Sequence, residues 1–226
     1  RQMHQHNLIH GDIKPGSIFV HHDATCRLCS FGLSCGTSDA FSQSRLAASG
    51  GTPAYMSPEH TTRTRRAVDS RSDLYSLGIV LYELLTGRLP FELSADDQTN
   101  WAHYHIASEP LAPGRVRPDV PGMLSTIILK LLEKNPENRY QTVDGLIADL
   151  RRCQATLTVE GEIVDFIPGQ QDRSPAIHLA DSLFSAHPQA SDVIAAFERV
   201  SQSGAPELVT IGGPSGIGKS SVRSEE

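Results

Sequence analysis

HGDIKPGSIF, residues 10–19, sets an Asp two positions ahead of a Lys in a turn that also holds a Pro and two Gly. Taken alone, Asp12 reads as a turn residue that hydrogen-bonds its own loop. The rest of the chain decides otherwise. IFVHH and CRLCS, at 18–22 and 26–30, predict a short β-hairpin, and residues 1–9 predict the end of a helix running into a loop. Residues 33–53 are rich in Ser, Gly, Thr and Ala and predict a long loop carrying many hydroxyls. DLYSLGIVLYELLT, at 73–86, is apolar almost all round, which predicts a buried central helix with Asp73 near its N-terminus and Gly87 as its stop. Further helices are predicted at 95–108, at 123–134 and from Thr142 to Leu157, with a Pro-rich connection after the first and the turn NPENRY before the last.

The totals narrow the function. A formal net charge of −6 disfavours nucleic acid as the partner, because phosphate binding calls for a basic surface. There is no apolar run long enough to span a bilayer, and RQMHQHNLIH has no signal-peptide core. The spacing of Cys26, Cys29, Cys35 and Cys153 does not suggest a disulfide framework, which points to a reducing, cytoplasmic setting. One C-x-x-C beside His21 and His22 is a weak zinc signal; two short strands with small thiols is the simpler reading.

From His10 to Tyr140 the sequence resembles the C-terminal lobe of a eukaryotic-type protein kinase, through several motifs in the right order. His10 to Ser17 stand where the family has H-R-D-L-x-x-x-N; Ser30-Phe31-Gly32 stand where it has D-F-G; Ser57-Pro58-Glu59 stand where it has A-P-E. Asp73 matches the family's Asp at the head of the central helix, and Arg139 the Arg that pairs with Glu59. The resemblance implies ATP and Mg²⁺ as cofactors and a protein substrate. Asp12 would accept the substrate hydroxyl's proton, Lys14 would neutralise charge on the transferring phosphate, and Thr52 would hold the substrate-side loop near both. His10, Phe31, Gly32, Glu59, Asp73 and Arg139 would carry the architecture.

Three departures from the pattern bear on activity. Gly11 replaces the Arg that can grip an activation-loop phosphate, so activity would not depend on one. Ser17 replaces the metal-binding Asn, and Ser30 replaces the metal-binding Asp of D-F-G. Serine can ligate Mg²⁺ but brings no charge. Two unit charges ~4 Å apart are worth ~4 kcal/mol at an effective dielectric of ~20, and ~4 kcal/mol in a barrier is about three decades in rate. Phosphoryl transfer is therefore expected to be impaired.

A second motif closes the chain. Gly213-Pro-Ser-Gly-Ile-Gly218-Lys219-Ser220 fits G-x-x-x-x-G-K-[ST] and comes directly after the strand-like ELVTIGG; SDVIAAFERVSQ before it predicts a helix. In such a P-loop the backbone amides of Gly213 and Gly218 wrap phosphates, Lys219 reaches the β- and γ-phosphates, and Ser220 ligates Mg²⁺. The expected organisation is a kinase-like lobe over 1–155 without its N-terminal lobe, a linker over 156–185, and the start of a truncated α/β P-loop ATPase domain over 186–226. The expected fold is mainly α with a short β-hairpin. The order resembles bacterial signalling proteins in which a Ser/Thr kinase-like domain precedes an AAA-type ATPase and sensor histidine kinase modules, and the chain is read as a piece of such a protein. Two alternatives stay open: a pseudokinase that docks partners, and a P-loop switch for which the lobe is a scaffold.

Overall fold

Burial of one helix on nearly every side organises the lobe. The computed structural model describes residues 1–36, 51–61, 66–91, 100–172 and 199–200. The chain divides into two units, Arg1–Ser174 and Pro175–Glu226. Of the second, only the helical residues 199–200 are described, so the P-loop motif, the strand expected before it and most of the expected helix SDVIAAFERVSQ lie outside the described residues.

In the first unit α1 (Gln2–Gln5) leads into β1 (Leu8–Ile9). The loop of residues 10–17 comes next and ends in a 3-10 turn, Pro15–Ser17. β2 (Ile18–Val20) and β3 (Cys26–Leu28) then form the expected hairpin, Phe19 opposite Arg27. β4 (Cys35–Gly36) pairs antiparallel with β1, Ile9 opposite Cys35. Both strands fall where a loop was expected; two residues are too few to show a period of two.

Next comes α2 (Ser70–Thr86), which starts before Asp73 because Asp69, not Asp73, caps it. Asp69 accepts from the Arg71 backbone N–H at 2.8 Å and Ser72 Oγ accepts from the Asp69 N–H, a reciprocal cap. Gly87 ends the helix at φ +77°, as expected. α3 (Trp101–Ala107), α4 (Pro113–Val116), α5 (Gly122–Leu131) and α6 (Val143–Glu160) complete the unit's helices. Thr142 caps α6 by accepting from the Gly145 N–H at 3.0 Å.

Two apolar clusters meet on α2. Leu74 packs with Met123, Ile127, Leu131, Tyr140 and Leu146. Tyr75, Ile79 and Tyr82 pack with Phe91, Ile128 and Leu132. α2 and α5 approach so closely that a Cβ on Gly78 would lie 2.8 Å from Leu131 Cβ. The helix is thus buried as its composition predicts, and the lobe is mainly helical with a small hairpin.

Past α6 the chain departs from expectation. The composition change near residue 156 falls inside α6, and the compact unit continues to Ser174. After Gly161 the chain runs back along α6, with Ile163 and Phe166 packed on the Leu74 cluster. Gly and Pro marked this stretch as a linker, but two apolar side chains give it a surface to lie on. Among the described residues no helix is long and apolar enough to cross a membrane.

Candidate active site

The loop of residues 10–17 is hung from α2 by one carboxylate. Asp73 is buried, and its two oxygens accept the backbone N–H groups of His10 and Gly11, each at 2.9 Å. His4 Nε2 lies 2.8 Å from Asp73 Oδ2 as well. Asp73 therefore fixes the start of the loop, rather than capping its own helix. His10 is fully buried; its Nε2 donates to the Cys29 carbonyl at 2.8 Å, which leaves Nδ1 to accept from the Asp12 N–H at 3.2 Å. Gly11 sits at φ +78°, a conformation that costs a residue with a Cβ about 1–2 kcal/mol.

Asp12, Lys14 and Thr52 come together at the mouth of this loop. Lys14 Nζ donates to Asp12 Oδ2 at 2.6 Å and to Thr52 Oγ1 at 2.6 Å. Thr52 donates from its N–H and from Oγ1 to Asp12 Oδ1, both at 2.9 Å. Burial pushes the Asp12 carboxyl up, but the hydrogen bonds from Lys14 and Thr52 outweigh it and hold the group below the usual carboxylate range. Asp12 is thus an anion with its lone pairs aimed at donors, next to a cation and a hydroxyl.

The two serines at the metal-ligand positions are placed differently. Ser17 is fully buried; its Oγ donates to the Lys14 carbonyl at 2.8 Å and accepts from the Lys14 N–H at 3.0 Å. Its hydroxyl clasps the loop instead of facing outward. Ser30 is exposed, with φ +66° and ψ +50°, and its Oγ lies 3.7 Å from Cys29 Sγ. Phe31 is next, half-exposed, its ring edge-on to His10 at 5.2 Å, and Gly32 lies in the same 3-10 turn.

Glu59 and Arg139 form a buried bidentate ion pair at 2.6 and 2.9 Å. All five guanidinium donors are used: the other three go to the carbonyls of Arg71, Glu133 and Lys134. This pair ties the segment after Thr52 to the turn before α6.

His105 is a contact that sequence reasoning missed. It is fully buried on α3; Nε2 donates to the Pro53 carbonyl at 2.9 Å and Nδ1 accepts from Tyr75 Oη at 3.1 Å. Burial drives its imidazole down to about 4. Only its place on the apolar face of α3 could have hinted at this. Gly213, Gly218, Lys219 and Ser220 lie outside the described residues.

Residues 1–149 match the sequence model of the protein kinase domain. The chain belongs to the protein kinase family. As a kinase domain it is a transferase by family. Among its relatives, the serine/threonine-protein kinase PknB of Mycolicibacterium smegmatis is 42% identical over 150 residues, 66% of this chain and 23% of that protein. PknB of Mycobacterium tuberculosis is 40% identical over 150 residues, again 66% and 23%. Hybrid signal transduction histidine kinase G of Dictyostelium discoideum is 36% identical over 188 residues, covering 74% of this chain and 5% of that protein. The chain thus spans less than a quarter of the length of these kinases.

Proposed function

We propose that this is a Ser/Thr-directed protein kinase domain of a cytoplasmic multidomain signalling protein, with impaired transfer of phosphate from ATP to a protein hydroxyl. The observation that carries the reading is the cluster of Asp12, Lys14 and Thr52, held on a loop anchored by Asp73. A substrate hydroxyl that displaces the Thr52 hydroxyl from Asp12 Oδ1 meets a carboxylate ready to take its proton. Lys14, within reach of both, offsets the charge that builds on the transferring phosphoryl group. Phosphoryl transfer asks for positioning and charge neutralisation more than for covalent chemistry, and these groups supply both on the acceptor side.

The donor side is weaker, and magnesium does not fit it. The Ser17 hydroxyl has both its donor and an acceptor position committed to Lys14, inside the loop. Ser30 offers one neutral oxygen, and neither serine supplies the charge that a hard divalent ion seeks. Impairment is the consequence of this mismatch.

A second reading is favoured by that same mismatch: a docking module that regulates an adjacent P-loop ATPase centred on Lys219 and Ser220 and a sensor histidine kinase beyond it. The resemblance of the chain to a protein named as a hybrid histidine kinase supports such a context. Label transfer from ATP in the longest natural protein carrying this chain separates the two readings. Only acid-stable phosphoserine and phosphothreonine are scored, with Mg²⁺ or Mn²⁺, beside Asp12→Asn. Label lost in Asp12→Asn is expected if the domain transfers phosphate. Label no higher than the Asp12→Asn background would overturn the first reading in favour of the second.

A further inference from the structure

The strap after α6 ends on a carboxylate whose placement is not explained by packing alone. Asp172 Oδ1 accepts from the Thr142 N–H at 3.0 Å and the Thr142 hydroxyl at 2.7 Å, and Oδ2 accepts from the Gln141 N–H. The fit is close: a Cβ on Gly145 would fall 2.5 Å from Asp172 Oδ1. Upstream, the Gly169 N–H donates to buried Asp149 at 2.6 Å, so the last turn of the strap is pinned at two points.

Gln141 is a hub. Its Nε2 donates to the carbonyls of Pro136, Glu137 and Arg139, and its Oε1 accepts from Arg71 Nη1 at 2.9 Å. Arg71 in turn gives its carbonyl to Arg139, whose guanidinium holds Glu59. A series of hydrogen bonds therefore leads from Asp172 to Glu59 residue by residue: Gln141 donates its backbone N–H to Asp172 and accepts from Arg71 through its side chain, Arg71 accepts from Arg139 at its backbone carbonyl, and the same Arg139 guanidinium holds Glu59.

We propose that Asp172 is a positioning residue for the segment around Glu59: the point where the chain leaves the lobe and the Ser57–His60 turn beside the candidate site are energetically coupled through Gln141. The proposal is independent of whether the domain transfers phosphate. It makes the strap a place from which a segment C-terminal to residue 174 can bias the site.

Hydrogen exchange of backbone amides in the full chain tests it, on the wild type, Asp172→Ala and Asp172→Asn. The Asn variant keeps size but turns a donor towards the Gln141 N–H. Ile127→Val serves as a core variant that lowers global stability without touching the series. Faster exchange is expected at 141–146, by direct loss, and also at 57–61, by about tenfold in either Asp172 variant, beyond any change in Ile127→Val. In a Gln141→Met background, Asp172→Ala should add nothing further at 57–61. Faster exchange confined to 141–146 and the strap would overturn the proposal, as would equal changes at 57–61 in Ile127→Val.

Discussion

Two residues near the candidate site share the left-handed backbone and differ in what it costs them. Gly11 adopts φ +78° without a Cβ to clash, whereas Ser30 adopts φ +66° with one. Left-handed backbone costs an L-residue about 1–2 kcal/mol, while glycine's freer unfolded chain costs about 0.4–1 kcal/mol. Ser30→Gly should then raise stability by about 1 kcal/mol, and Gly11→Ala should lower it by about 1 kcal/mol. Urea unfolding with an unchanged slope reads both. A Ser30→Gly midpoint at or below that of the wild type would mean that no strain is stored there. At this scale the sequence was informative about partners and silent about direction. Motif order brought Glu59 and Arg139 together across 80 residues. It could not say that Ser17 points inward, because the backbone of the Pro15–Ser17 turn sets that direction and a motif names only the position.

Among elements, α2 and α5 decide the packing. Replacing glycine by alanine inside an exposed helix usually gains about 1 kcal/mol of propensity. At Gly78 the new methyl meets Leu131 Cβ at 2.8 Å and the Leu132 side chain at 3.0 Å, and a Cβ, fixed to its backbone, cannot swing away. Overpacking costs about 1–3 kcal/mol, so Gly78→Ala should destabilise by about 1 kcal/mol net. Thermal unfolding checks it, and a higher Tm would mean that the two helices part at little cost. The apolar run at 73–86, the Gly87 stop and the Thr142 cap made these helices readable from sequence alone. The strap was not readable. Its ordering comes from long-range partners: Asp172 meets Thr142, 30 positions earlier, and Phe166 meets Met123, 43 positions earlier. Composition reports only on the stretch itself.

At the scale of the whole molecule, two interior imidazoles among the described residues add acid sensitivity above the carboxylate range. His105 is driven down to about 4 by burial, and burial likewise lowers His60, whose Nε2 has no hydrogen-bond partner among the described residues. Both folded-state values lie below the unfolded one of 6.5, so the unfolded chain takes up protons first. The stability these neutral groups contribute is complete above about pH 6.5 and is lost as the pH falls below it; for His105 the loss runs down to about 4 and is on the order of 3 kcal/mol. Tm measured across that window should fall, and fall less steeply in His105→Gln, which keeps a donor for the Pro53 carbonyl. An identical slope in the variant would assign the loss to other groups.

The strap also separates two notions of a domain. The family is recognised over residues 1–149, yet the lobe folds as a unit to Ser174. A gene rearrangement that cut at the edge of recognition would pass on a lobe whose last helix has lost its C-terminal half, the apolar cover from Ile163 and Phe166, and the carboxylate over Gln141 and Thr142. The piece that can be inherited in working order is therefore longer than the piece that similarity outlines, and residues 150–174 must travel with the lobe whenever it is joined to a new neighbour.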